Sequence, residues 1–161
     1  MMRQAINNGE DIGMARLLWK LGSLCFDRQD YKQAEELLRK TLGLRETIGL
    51  AADAETAKIF QELGATFCAT CRYKESEKHL NKALKLFRKC KGIASLDEAS
   101  VRCDLGNLFS ATHRLQKAAT SLSAALKIQS AKLGYSDKSV KATLAKLSGV
   151  CLLYTSPSPR D

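Results

Sequence analysis

Cys68 and Cys71 stand at Cys-x-x-Cys spacing, the one arrangement in this 161-residue chain that could share a zinc ion between thiolates or join them in a redox-active disulfide. A closed zinc site needs a second pair of ligands, and His79 and His113 fall at no ligand spacing. The simpler reading ends a helix at Cys68 and puts Cys71 in the turn that follows. Nucleophilic catalysis would need a base oriented beside a Ser, Cys or Thr, and two histidines with scattered carboxylates give no triad order. No glycine-rich loop runs into Lys and Ser or Thr, so a phosphate cradle is not expected either. The sequence therefore offers no catalytic, cofactor-binding or metal-binding residue and points away from an enzyme.

Composition sets the background for whatever positions these side chains. The chain is 45% hydrophobic, 27% charged and 6% aromatic, enough to bury a core, and no apolar run reaches the length that spans a bilayer. Both prolines, Pro157 and Pro159, lie in the last five residues, which predicts nearly continuous helix before them. Net charge is +9, but lysines and arginines are mixed with acids such as Glu35, Glu62, Glu75 and Asp104, the pattern of a solvated helical surface. Cys25, Cys68, Cys71, Cys90, Cys103 and Cys151 show no disulfide-framework spacing and read as reduced thiols of a cytoplasmic protein.

Sliding the sequence against itself by 42 residues gives a clean register. Leu-Gly recurs at Leu21-Gly22, Leu63-Gly64 and Leu105-Gly106; Leu147-Ser148 continues it. Tyr31, Tyr73 and Leu115 follow, then Ala34, Ser76 and Ala118, then Leu38, Leu80 and Leu122, and finally Leu42, Leu84 and Leu126. Apolar gaps of three and four make two helices per copy, and the short polar breaks at 27–30, 69–72 and 111–114 favour antiparallel neighbours. Ser95 and Glu98 have the spacing of a capping box. A mid-helix glycine costs about 1 kcal/mol relative to alanine, so Gly22, Gly64 and Gly106 predict a close helix contact, with Ala34, Ser76 and Ala118 on its other side. The expected architecture is all-α: a solenoid of stacked antiparallel helix hairpins. Residues 1–10 read as the end of a preceding repeat, 11–52, 53–94 and 95–136 as three repeats, and 137–150 as the first helix of a partial fourth. Residues 151–161 read as a non-native tail, and the whole as a piece of a longer protein.

These residues resemble the tetratricopeptide repeat, and the second copy, with Phe60, Leu63-Gly64, Phe67, Ser76, Leu80 and Ala83, fits its pattern best. The 42-residue unit is similar to the kinesin light chain and nephrocystin class, and Leu133-Gly134 with Val140 and Thr143-Leu144 is similar to that class's turn. The final residues, Cys151 to Asp161, resemble a translated sequencing adapter.

The resemblance implies a protein-interaction scaffold whose first helices line a concave groove, in a tetratricopeptide-like superhelix. The family's groove positions fall on Arg16, Trp19, Lys20, Ser23 and Phe26; on Lys58, Gln61, Glu62 and Ala65; on Ser100, Cys103, Asp104 and Asn107; and on Ala142, Ala145 and Lys146. The mixture suits an extended or helical partner segment with acidic residues and one apolar anchor. Trp19, the sole tryptophan, is either core or an exposed anchor for that segment. Alternative readings are an RNA-binding helical-repeat protein, disfavoured because no fixed pair of polar residues recurs to read bases, and the repeat segment of a larger enzyme or regulatory protein. No cofactor and no membrane insertion are expected.

Overall fold

A computed structural model describes the backbone of residues 2–155 and the side chains of residues 9–155. Among the described residues there are seven helices: α1 (Met2–Asp27), α2 (Tyr31–Thr47), α3 (Ala54–Ala69), α4 (Tyr73–Lys91), α5 (Leu96–Ala111), α6 (Leu115–Leu133) and α7 (Lys138–Thr155). The chain divides between Cys90 and Lys91 into two compact units.

Local chemistry sets the helix ends. Asp30 accepts from the Gln33 amide at 3.2 Å, and Asp53 from the Thr56 amide at 2.8 Å, which satisfies donors left open at the starts of α2 and α3. At α5 the Ser95 hydroxyl oxygen accepts from the Glu98 amide at 3.1 Å, as the expected capping box requires, while the Glu98 carboxylate reaches one residue further back and accepts from the Ala94 amide at 2.9 Å. All three expected turns inside hairpins share one geometry. Gln29, Cys71 and His113, each 42 residues apart, adopt φ of 65°, 59° and 56°. The amides of Asp30, Arg72 and Arg114 reach back to the carbonyls of Cys25, Phe67 and Phe109 at 2.8 to 2.9 Å, closing each helix end.

In the first unit, Leu38, Ile59, Leu63 and Phe67 form a buried cluster onto which Trp19 and Leu42 pack. The glycines fit tightly. A Cβ on Gly64 would lie 2.6 Å from Leu80 Cγ, and one on Gly22 3.1 Å from Leu38 Cγ. The same contact recurs in the second unit, where a Cβ on Gly106 would lie 2.6 Å from Leu122 Cγ. The close approach foreseen from the register is real, but its nearest partner is the leucine sixteen residues on, inside the same hairpin, because the second helix folds straight back over its own first helix. Ser76 meets Gly64 differently, donating its hydroxyl to the Gly64 carbonyl oxygen at 2.7 Å.

Four expectations change. The register places a turn near residue 10, yet α1 runs unbroken from Met2 to Asp27. Asn7 and Asn8 stand there in the register of Gly49, Gly92 and Gly134, which take the left-handed backbone between later helices. At the other end α7 continues through residues 151–155, so the expected tail begins as helix; residues 156–161 lie outside the described residues. Leu84 is half-buried, whereas Leu80 and Ala83 carry the core of α4. Leu21 is also exposed, although its counterparts Leu63 and Leu105 are buried.

One register position is filled three ways. Arg45, Phe87 and Gln129 are all buried. Phe87 simply adds apolar area. Arg45 is held by Asp53, by Glu55 at 2.9 Å and by the Thr56 hydroxyl at 2.9 Å, which supplies the pairing a buried guanidinium needs. Gln129 donates toward Cys103 Sγ at 3.9 Å.

Candidate functional site

In the first unit the expected groove residues lie on α1 and α3, which run side by side. Polar contacts join the helices: Ser23 donates to Glu62 Oε2 at 2.6 Å, and Arg16 pairs with Glu55 at 3.1 Å. Glu55 also binds Arg45 from below, so a surface arginine and a buried one share one carboxylate. Lys20 and Lys58 are exposed, while Ser23, Phe26, Gln61, Glu62 and Ala65 are half-buried. Phe26 packs edge-on against Tyr31, with ring centroids 5.6 Å apart.

Trp19 resolves as a core-packing residue. It leans on the Leu38, Ile59, Leu63 and Phe67 cluster, and its indole nitrogen is shut off from solvent. Burial pushes the Glu62 carboxyl above its usual range, an effect the Ser23 hydrogen bond partly offsets.

In the second unit, Ser100 and Asn107 on α5 and Ala142, Ala145 and Lys146 on α7 are exposed, with Cys103 and Asp104 half-buried. The structure brings Asn107 and Lys146 together at one groove of about 520 Å³. Its walls are largely apolar: Gly106, Leu122, Gly149, Val150, Leu152 and Leu153, with Ser110 at the rim. Ser110 and Gly149 are small, and a Cβ on Gly149 would meet nothing within 4 Å, which leaves space between α5 and α7. Cys103 turns instead toward Thr143, 3.4 Å away, and burial raises its thiol pKa, which suits a packing thiol more than a nucleophile.

Charge is uneven here. From Leu115 to Thr155 the chain carries six lysines and one carboxylate, Asp137. The mixing of signs read along the whole sequence therefore stops in α6 and α7. Sequence reasoning missed this segregation, which was visible once helix boundaries grouped the lysines. It also missed Ser110, Gly149 and Val150, whose small or β-branched side chains carry no chemical signal of their own.

The Cys-x-x-Cys pair falls as the simpler reading has it. Cys68 sits in the last turn of α3, Cys71 occupies the left-handed turn, and both are free thiols. Among the described residues no group of three His, Cys, Asp or Glu side chains is placed to hold a metal ion. No helix among them is long and apolar enough to cross a membrane.

Comparison with known proteins follows this geometry. Two family profiles, each described as tetratricopeptide repeat, match residues 15–48 and 53–131. The crystal structure of BtubC (BKLC) from P. vanneervenii is similar with a TM-score of 0.79 and 19% identity, covering 91% of this chain and 67% of that one. The nearly identical TPR-like repeats of a Podosopora anserina kinesin light chain candidate give a TM-score of 0.74 at 17% identity, over 84% of this chain and 64% of that one. The Yersinia enterocolitica type III secretion translocator chaperone SycD gives 0.69 at 14% identity, over 89% and 96%. The chain thus spans about two thirds of the length of the first two. No curated protein sequence matches it. These likenesses establish the fold class expected from the sequence, an all-α array of helix hairpins.

Proposed function

Because this chain carries tetratricopeptide repeats over 15–48 and 53–131, we propose that it is a non-enzymatic scaffold that holds a segment of a partner protein against the first helices of its hairpins. The repeats divide as 11–52, 53–94 and 95–136 with a partial fourth from 137, in the manner of the kinesin light chain and nephrocystin class. Residues 151–161 are a foreign, adapter-like extension, so the native apolar walls of the α5–α7 groove are Gly106, Leu122, Gly149 and Val150, and Leu152 and Leu153 are no part of the binding surface. The scaffold works in the cytoplasm, where its six cysteines stay reduced, as their free thiols suit.

One observation carries the reading: a groove with apolar walls and Lys146 and Asn107 at its edge, in a segment with six lysines and one acid. Such a groove suits a partner segment with a bulky apolar side chain flanked by carboxylates. The side chain would bury against Leu122 and Val150, while Lys146 meets the acid and the Asn107 amide bonds the partner's backbone. Rigid packing below the groove keeps the ordering cost on the scaffold low. In the first unit, Arg16 is engaged with Glu55, which leaves Lys20 and Lys58 as the freer cations of that face.

Fluorescence anisotropy with an acidic, leucine-bearing peptide tests this. Lys146→Glu is expected to weaken binding by about tenfold or more, with helicity unchanged. The triple Arg16→Glu, Lys20→Glu, Lys58→Glu variant is expected to weaken a longer acidic peptide that reaches the first unit. No binding by the parent, or equal affinity for the parent and Lys146→Glu, defeats the reading.

A further inference from the structure

Outside the groove, α1 carries an apolar stripe that nothing in the first unit covers. Met14, Leu17, Leu21 and Leu24 are all exposed, Leu17 at 65%. Their register counterparts in later repeats are the reverse: Ile59 and Leu63, and Val101 and Leu105, are buried. The stripe thus occupies positions that elsewhere in this chain are covered by a helix. Its gaps of three, four and three residues are those of a two-helix seam.

The seam is self-complementary. An antiparallel pairing of two such helices, centred at Trp19, sets Met14 opposite the second copy's Leu24 and Leu17 opposite the second copy's Leu21. One step further at each end stand Glu10, on α1, and Arg28, the first residue of the turn after it, whose amide still bonds the Leu24 carbonyl at 3.1 Å; both are exposed. That register sets Glu10 opposite the second copy's Arg28, and Arg28 opposite the second copy's Glu10. Four apolar layers are then closed at each end by opposite charges, a pattern that a two-fold axis repeats without mismatch. A parallel pairing would instead place each glutamate against glutamate and each arginine against arginine.

We propose that two copies of this chain associate through their α1 helices, antiparallel and two-fold symmetric, burying Met14, Leu17, Leu21 and Leu24. The contact is small, so the dimer is concentration-dependent. It does not depend on what the α5–α7 groove binds.

Sedimentation equilibrium of the whole chain over a concentration series tests it, with circular dichroism to confirm that each variant stays helical. The parent is expected to show a reversible monomer–dimer equilibrium. Leu21→Glu is expected to raise the dissociation constant at least ~30-fold, since it places a charge in the central layers. Glu10→Arg alone and Arg28→Glu alone are each expected to weaken the dimer, and the double swap Glu10→Arg with Arg28→Glu to restore it. The swap tests register in variants that leave the apolar layers untouched. A parent that stays monomeric throughout, a Leu21→Glu protein that dimerises like the parent, or a double swap no better than either single change would each overturn the proposal.

Discussion

The Ser76 hydroxyl donates a 2.7 Å hydrogen bond to the carbonyl oxygen of Gly64, across the buried contact between α3 and α4. The glycine lets the helices close, and the serine turns that closeness into a directional bond, because a hydroxyl reaches a helical carbonyl only at such separation. In the other two hairpins Ala34 and Ala118 hold the equivalent place and keep the space without the bond. Ser76→Ala should therefore be tolerated sterically and cost about 1 kcal/mol for the lost bond. Chemical denaturation of the two proteins measures the difference.

Glycine replacements should be graded by the room available. Gly64→Ala forces Leu80 to move, since the new Cβ would sit 2.6 Å from its Cγ, and overpacking of this kind costs about 1 to 3 kcal/mol. Gly22→Ala meets Leu38 at 3.1 Å, a milder clash that the roughly 1 kcal/mol helix preference of alanine can offset. Thermal melts should place Gly22→Ala near the parent and Gly64→Ala clearly below it. Equal melting temperatures would show that both hairpins relax alike.

Burial separates two leucines that look alike in the repeat pattern. Leu80 is fully buried, so Leu80→Ala should cost about 2 to 5 kcal/mol. Leu84 is half-buried, and Leu84→Ala should cost less than Leu80→Ala. Urea midpoints of both variants measure the order.

The left-handed turns offer a gain. Gln29, Cys71 and His113 carry side chains at positive φ, a conformation that costs a non-glycine residue about 1 to 2 kcal/mol. Glycine there removes the penalty and returns part of it as unfolded-state entropy, leaving a net gain of about 0.5 to 1 kcal/mol. Cys71→Gly, which also removes an exposed thiol, should raise the melting temperature, and a lower one would show that the Cys71 side chain holds the turn.

His79 makes stability depend on pH in a definite direction. Its ring packs between Phe67 at 4.9 Å and Phe60 at 5.9 Å, and burial lowers its pKa from 6.5, outweighing the hydrogen bond of Nδ1 to the Glu75 carbonyl. The unfolded chain therefore binds the proton more readily than the folded one. Stability from this site is complete above pH 6.5 and falls as the pH drops below that value through the lowered native pKa. His79→Phe should flatten the pH dependence of the urea midpoint in that interval; an unchanged slope would place the proton elsewhere.

The fold was legible because periodicity reports burial directly. Leu-Gly at three positions 42 residues apart marked the closely packed helices, and Ser95 with Glu98 marked a helix start by local chemistry alone. What the register could not show is where a repeated position is used differently. Leu21 matches Leu63 in sequence and differs in exposure, because exposure depends on what packs against the helix. Arg45 read as a surface charge and is buried, since Asp53, Glu55 and Thr56 converge on it from beyond a turn. At the candidate site, Asn107 and Lys146 were identified from the first helices of their copies, but the space between them is made by Gly149 and Ser110, and the absence of a side chain leaves no pattern to read.

Amide chemical-shift mapping with the acidic, leucine-bearing peptide tests the central claim most directly. Binding at the α5–α7 groove predicts perturbations concentrated at Asn107, Lys146, Gly149 and Val150. Shifts confined to Lys82 and Lys117, on the second helices of the hairpins, or no shifts at all, would contradict it.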